Sequence, residues 1–161
     1  SDFRTALSEY QKILPIYEEV DGKTKFPTFY AAYAKSLMET GDTLNAKTNF
    51  LIAVNEMKST DPVVYTNLGS IAFMKDKEYA QAEQFYQKAL DLGHPDKFGA
   101  YSNLGMSQVI LKKEAAAAAN FEKALEYGSN KPVLGNLYLL YQSLGNPEKA
   151  NMYRQMLNES K

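Results

Sequence analysis

The stretch YTNLGSIAF occupies residues 65–73, and thirty-six residues later, at 101–109, the chain reads YSNLGMSQV. A phrase that returns at such an interval marks an internal repeat, and periods of about 20–50 residues belong to stacked arrays. Working outward, a small–aromatic–small pattern recurs as Ala46, Phe50 and Ala53, then Ala82, Tyr86 and Ala89, then Ala117, Phe121 and Ala124. Ahead of each block stands an aromatic or apolar residue followed by an apolar–small pair. These are Tyr30 with Tyr33 and Ala34, Tyr65 with Leu68 and Gly69, Tyr101 with Leu104 and Gly105, and Leu134 with Leu137 and Tyr138.

Apolar spacings of three and four on both sides of short polar turns predict two amphipathic helices per unit. The turns are Gly41-Asp42, Lys75-Asp76-Lys77, Lys112-Lys113 and Gly145-Asn146-Pro147. Pro62, Pro95 and Pro132 fall at unit boundaries, where proline can open a helix but could not sit inside one. Ser59, Thr60 and Asp61 are candidate caps there. The alanine run at 115–119 reads as helix propensity with close packing. Tyr30, Tyr65, Tyr86, Tyr101 and Phe121 read as core or inter-repeat contacts.

This pattern resembles the tetratricopeptide repeat, a helix–turn–helix unit of about 34 residues. Tyr65, Leu68, Gly69, Tyr79, Ala82, Tyr86, Ala89 and Leu90 carry the resemblance in one unit, and Tyr101, Leu104, Gly105, Ala117, Phe121, Ala124 and Leu125 in the next. Tyr30, Ala34, Gly41, Ala46, Phe50 and Ala53 match more loosely before them, and Leu137, Tyr141, Gly145 and Ala150 after. The resemblance implies an all-α fold, a right-handed superhelical solenoid of antiparallel helix pairs. Its expected organisation is a single domain over 1–161: a half-repeat or cap helix at 1–26, repeats at 27–60, 61–95 and 96–130, and a fourth with the carboxyl-terminal end at 131–161. Two departures stand out. One extra residue between Gly69 and Tyr79 is expected in the turn at 74–78, and Arg154 occupies the aromatic position of the last helix. That helix is polar, as an array end that meets water should be.

The chain has 161 residues, enough for one domain with a real core, and 18 Lys and Arg stand against 19 Asp and Glu. No polycationic face of the kind that phosphate backbones select is expected, so nucleic acid is not an expected partner. Cysteine is absent, which removes thiolate and disulfide chemistry and leaves the compartment undecided. No apolar run approaches a membrane span, no signal-peptide pattern is visible, and the chain reads as soluble. A chain beginning at Ser1 rather than Met is expected to be a processed or excised piece.

In the resembled family, the residues just before the Leu-Gly pair of the first helix turn toward the inner, concave side. Asn67, Asn103 and Asn136 hold that position in three successive units, preceded by Thr66, Ser102 and Gly135; Ala31 and Ala32 are the pair in the first. In family members that hold extended segments, asparagines at the matching position clasp the ligand's backbone, and the resemblance implies the same role here. A carboxamide donates and accepts at once, so it suits a peptide group. Asparagine is a mediocre helix former with no propensity reason to recur at one solvent-facing position. The competing role is bonding between neighbouring helices. Three net hydrogen bonds of about 1 kcal/mol each fall short of the roughly 8 kcal/mol of a micromolar complex, so apolar contacts must add to them. Met106 and Leu139 lie one turn beyond their asparagines, Met74 and Ile110 further along, and Lys35 and Ser70 hold the matching place in earlier units. The groove is therefore expected to grade from polar to apolar toward its carboxyl end.

Family members that grip a chain-terminal carboxylate use a Lys/Arg/Asn clamp. Here those positions carry Ala31, Val63, Ser102 and Gly99, so that activity is not expected. His94, the only histidine, reads as a loop residue without a second metal ligand or nucleophile spaced to work with it. No phosphate loop or dinucleotide turn is present. The expectation is therefore a binding module without enzyme activity, metal or cofactor: an adaptor or scaffold, monomeric or weakly self-associating, that holds an extended or short helical segment of another protein. A secretion or assembly chaperone, a self-associating structural array and a regulatory domain cut from a larger enzyme are the alternatives.

Overall fold

A computed structural model describes residues 2–19 and 26–160. Among the described residues all regular structure is helical. Helix α1 (Phe3–Glu19) precedes four hairpins: α2 (Pro27–Glu39) with α3 (Thr43–Leu51), α4 (Pro62–Ile71) with α5 (Tyr79–Asp91), α6 (Lys97–Ile110) with α7 (Glu114–Leu125), and α8 (Lys131–Ser143) with α9 (Pro147–Glu159). Each helix packs against the next in the chain, giving a solenoid.

Local chemistry sets the helix starts. Asp61 accepts from the Val63 N–H at 2.9 Å, Asp96 from Gly99 at 2.8 Å, Asn130 from Val133 at 2.9 Å and Asn146 from Lys149 at 3.0 Å. Such caps contribute about 0.5–2 kcal/mol each. Of the three candidates at 59–61, Asp61 is therefore the cap. Ser59 is buried and accepts from the Asp61 N–H at 3.2 Å. His94 does the same one unit later, its Nδ1 accepting from the Asp96 N–H at 3.1 Å. It is a loop residue as expected, but a buried one that shapes the corner.

The repeated Leu-Gly pair now has a physical reason. Leu68 and Leu104 are sealed in the core, while Gly69 and Gly105 let the aromatic of the following helix seat directly on the backbone. A Cβ at Gly69 would stand 2.8 Å from the Tyr86 ring, and one at Gly105 would stand 3.0 Å from Phe121. Tyr30, Tyr86 and Phe121 are core residues; Tyr65 and Tyr101 are only half-buried, Tyr101 stacking on Tyr127. Fully burying one large apolar side chain is worth about 1.5–3 kcal/mol.

Two expectations need correction. The extra residue after Gly69 is not confined to the turn at 74–78. The last stretch of α4 widens into a π-helical turn, Ala72–Asp76, and Lys77 then takes φ 57° to redirect the chain. α3 ends in the same way, with a π-helical turn over Ile52–Glu56 and Lys58 at φ 55°. A single extra residue is absorbed by a wider helical turn at no loss of hairpin packing. In α9 the aromatic is not missing. Tyr153, one place before the exposed Arg154, is buried and stacks on Tyr141 with ring centroids 5.8 Å apart.

Polar ties lock neighbouring hairpins. Lys47 meets Asp76 at 2.6 Å and Glu78 at 3.8 Å, and Lys113 meets Glu83 at 2.7 Å. Gln108 donates to Glu83 at 3.1 Å and accepts from Asn120 at 2.8 Å. At the carboxyl end, Glu122 accepts from the Tyr141 hydroxyl at 2.8 Å, Lys149 at 2.7 Å and the Tyr153 hydroxyl at 2.9 Å. Burial alone would raise the Glu122 pKa, but the hydrogen bonds from Lys149, Tyr141 and Tyr153 outweigh it and hold the carboxyl below its usual range. Burial, then the Glu122 carboxylate, push the Tyr153 phenol up. The hydrogen bond to Glu122 raises Lys149.

Candidate functional site

The first helix of each hairpin contributes one wall to a face that runs along the array. Between α2 and α4 lies a depression of about 260 Å³ whose lining includes Ala31, Ala32, Lys35, Asp61, Val63 and Asn67. Between α4 and α6 lies a second, of about 260 Å³, lined by Ser70, Phe73, Met74, Tyr86, Asn103 and Met106. Successive first helices thus bring Asn67 and Asn103 to equivalent places one hairpin apart. Asn136 is half-buried at the same register of α8, outside the two depressions, with Leu139 exposed a turn beyond it.

The side chains around these asparagines spend their polar atoms locally. The Thr66 hydroxyl donates to the Pro62 carbonyl at 3.1 Å and the Ser102 hydroxyl to Phe98 at 2.7 Å. Ser70 and Tyr86 share a hydrogen bond at 3.3 Å across the hairpin. Among the described residues, no hydrogen bond from a neighbouring helix reaches the amides of Asn67, Asn103 or Asn136, and no buried polar side-chain atom lacks a partner. The three amides therefore reach solvent with donors and acceptors free. Asn120 on a second helix is different: its amide bonds Gln108 and the Ala116 carbonyl.

The expected gradient from polar to apolar does not describe the lining. Ala31, Ala32 and Val63 already make the first depression largely apolar, with Lys35 and Asp61 at its edge. Phe73 and Tyr86 were not among the expected groove residues. A tyrosine where the neighbouring repeats carry phenylalanine was the available signal, since its hydroxyl needs a partner near the surface.

Residues 63–92 and 98–128 match the family model described as tetratricopeptide repeat. These are tetratricopeptide repeats. The matched segments are the α4–α5 and α6–α7 hairpins, and solved structures extend the likeness in fold to the rest of the solenoid. The crystal structure of MamA is similar over 98% of this chain and 88% of that chain, with 23% identity and a TM-score of 0.80. The Pseudomonas aeruginosa PilF structure is similar over 95% of this chain and 68% of that chain, with 18% identity and a TM-score of 0.72. BtubC from P. vanneervenii is similar over 100% of this chain and 76% of that chain, with 20% identity and a TM-score of 0.68. At these identities the likeness shows the fold alone. No curated protein matches the sequence. A tetratricopeptide fold supports a protein–protein interaction scaffold in general, and such proteins are generally non-enzymatic. Among the described residues, no helix is long and apolar enough to cross a membrane.

Proposed function

We propose that the protein is a non-catalytic adaptor whose inner face holds a peptide segment of a partner protein, with Asn67, Asn103 and Asn136 gripping the segment's backbone. The observation that carries this reading is the set of three unbonded amides at one register of successive first helices. An amide presented to water along a groove can exchange its hydration for a peptide N–H and carbonyl together. Thr66, Ser102 and Gly135 keep the adjacent surface low, Lys35 and Ser70 offer polar edges, and Met106 and Leu139 supply apolar contact. The partner is another protein and the adaptor itself is monomeric or weakly self-associating.

The test is selection of random linear peptides by phage display, followed by affinity measurement on wild type and on Asn67→Ala/Asn103→Ala/Asn136→Ala. Three hydrogen bonds of about 1 kcal/mol each amount to a loss on the order of a hundredfold. The reading requires that loss with unchanged helicity by circular dichroism. Equal affinity in both proteins sinks it.

A further inference from the structure

The inner face has a second property, which is where its charges are not. Although the chain has 18 Lys and Arg and 19 Asp and Glu, none falls within 63–74, 98–111 or 132–146, the stretches that form nearly all of α4, α6 and α8. The charges sit on α1, on the second helices and in the turns, with Lys97 and Lys131 at the first positions of α6 and α8 and Lys35 and Glu39 on α2. Where charge is missing, large apolar side chains stand open. Met74 is 67% exposed, Leu139 60% and Ile110 41%. Met74 and Met106 border the depression between α4 and α6, whose floor is Phe73 and Tyr86 and whose polar groups are Ser70 and Asn103.

Resting on the groove reading above, we infer that repeats two to four accept an uncharged internal segment of a partner chain, with one apolar side chain seated in the α4–α6 depression. The cause is desolvation. A ligand carboxylate or ammonium seated in the α4–α6 depression would lose water and find no opposite charge in its lining, which costs far more than the neutral amides return. The surface therefore discriminates against charged segments by omission as well as favouring apolar ones. A chain-terminal carboxylate is refused on the same ground, because the cation lining the inner depressions is Lys35, on the first repeat. A flexible methionine on either side lets the depression adapt to leucine, isoleucine, methionine or phenylalanine. The depression holds about 260 Å³, room for one such side chain.

The experiment is the same phage-displayed library, read for composition, with selected peptides then measured on Met74→Glu and across a salt series. Met74 is exposed, so the substitution leaves the fold standing, which circular dichroism checks. The expected result is a set of peptides depleted in Asp, Glu, Lys and Arg and carrying one large apolar residue. Their affinity should fall about tenfold on Met74→Glu and change less than about twofold with salt, since no screened charge pair contributes. Peptides that need the asparagines but are rich in charge, or that ignore Met74→Glu, overturn this inference and leave the groove reading intact. If no selected peptide depends on the asparagines, both fail. A wild-type protein that dimerises and becomes monomeric on Met74→Glu gives the surface to a second copy and overturns the proposal.

Discussion

The first and last helices, α1 and α9, are held by opposite means. α1 has no residue fully buried; it lies on the first hairpin through half-buried Leu7, Tyr10, Leu14 and Tyr17, with Tyr17 stacked on Phe29 at 4.1 Å. Its Ile16 remains 66% exposed. α9 instead sinks Ala150 and Tyr153 into the core and anchors them to Glu122, two helices back in the chain. One end is held over a shallow interface by half-buried apolar and aromatic contacts and by the Tyr17 hydroxyl on the Phe26 backbone, the other by burial joined to a charge-assisted hydrogen-bond cluster. The quality of the interface that holds each of these helices sets how readily it opens.

The largest effect should come from Tyr153→Ala, which empties a buried aromatic site and removes a hydrogen bond to Glu122. By analogy with other aromatic core truncations, it should cost about 3–5 kcal/mol in urea denaturation. Tyr17→Ala should cost only about 1 kcal/mol and speed amide exchange in α1 while leaving α9 protected. Equal costs would erase the distinction between the ends.

Next in size is Glu122→Gln, which leaves the two tyrosine hydroxyls and Lys149 with a neutral partner and should cost about 1–2 kcal/mol at neutral pH. The folded carboxyl sits below its ordinary value of 4.5, so its contribution is complete above that value. It is lost as pH falls through the lowered folded value. The stability gap between wild type and Glu122→Gln should therefore narrow in acid; a gap that stays constant to low pH would place the strength of the carboxyl end in packing alone.

The smallest effect has the opposite sign. A Cβ at Gly135 would meet nothing within 4 Å, so Gly135→Ala inside α8 should stabilise the carboxyl end by about 0.5–1 kcal/mol through helix propensity. The same change at Gly69 runs into the Tyr86 ring and should destabilise. Thermal melts of the pair sharpen the contrast between the open and the packed face of the first helices.

These differences also mark what could be read in advance. The hairpins were legible because they depend on apolar neighbours three to four residues apart and on a repeating period, and of the caps only Asp61 was among the candidates. The Glu122 cluster was not, since its partners lie 19, 27 and 31 residues away and no local spacing links them. Tyr153 was missed because the aromatic was sought four residues after the packed alanine, as in the other repeats, which lands on Arg154. The last hairpin is shorter, and burial follows the helix face instead of the count. The inner depressions were partly legible: Asn67, Asn103 and Met106 belong to first helices with regular spacing, whereas Phe73 reaches the surface at the edge of a π-helical turn that no pattern announced.

The polar ties between hairpins carry one more consequence. The residue after the packed alanine is Lys47 in the first repeat and Glu83 in the second, and each faces the residue that opens the next second helix, Glu78 and Lys113 respectively. The sign inverts from one joint to the next. If the first repeat were followed by the third, Lys47 would confront Lys113; if the second were followed by a copy of itself, Glu83 would confront Glu78. Exposed pairs of this kind add little to stability, but like charges opposed at a joint penalise the wrong sequence of hairpins. The first two joints thus carry opposite charge patterns, and a hairpin set at the wrong one of them would oppose like charges, while the third joint, with Ala118 and Asn146 at these places, carries no such mark.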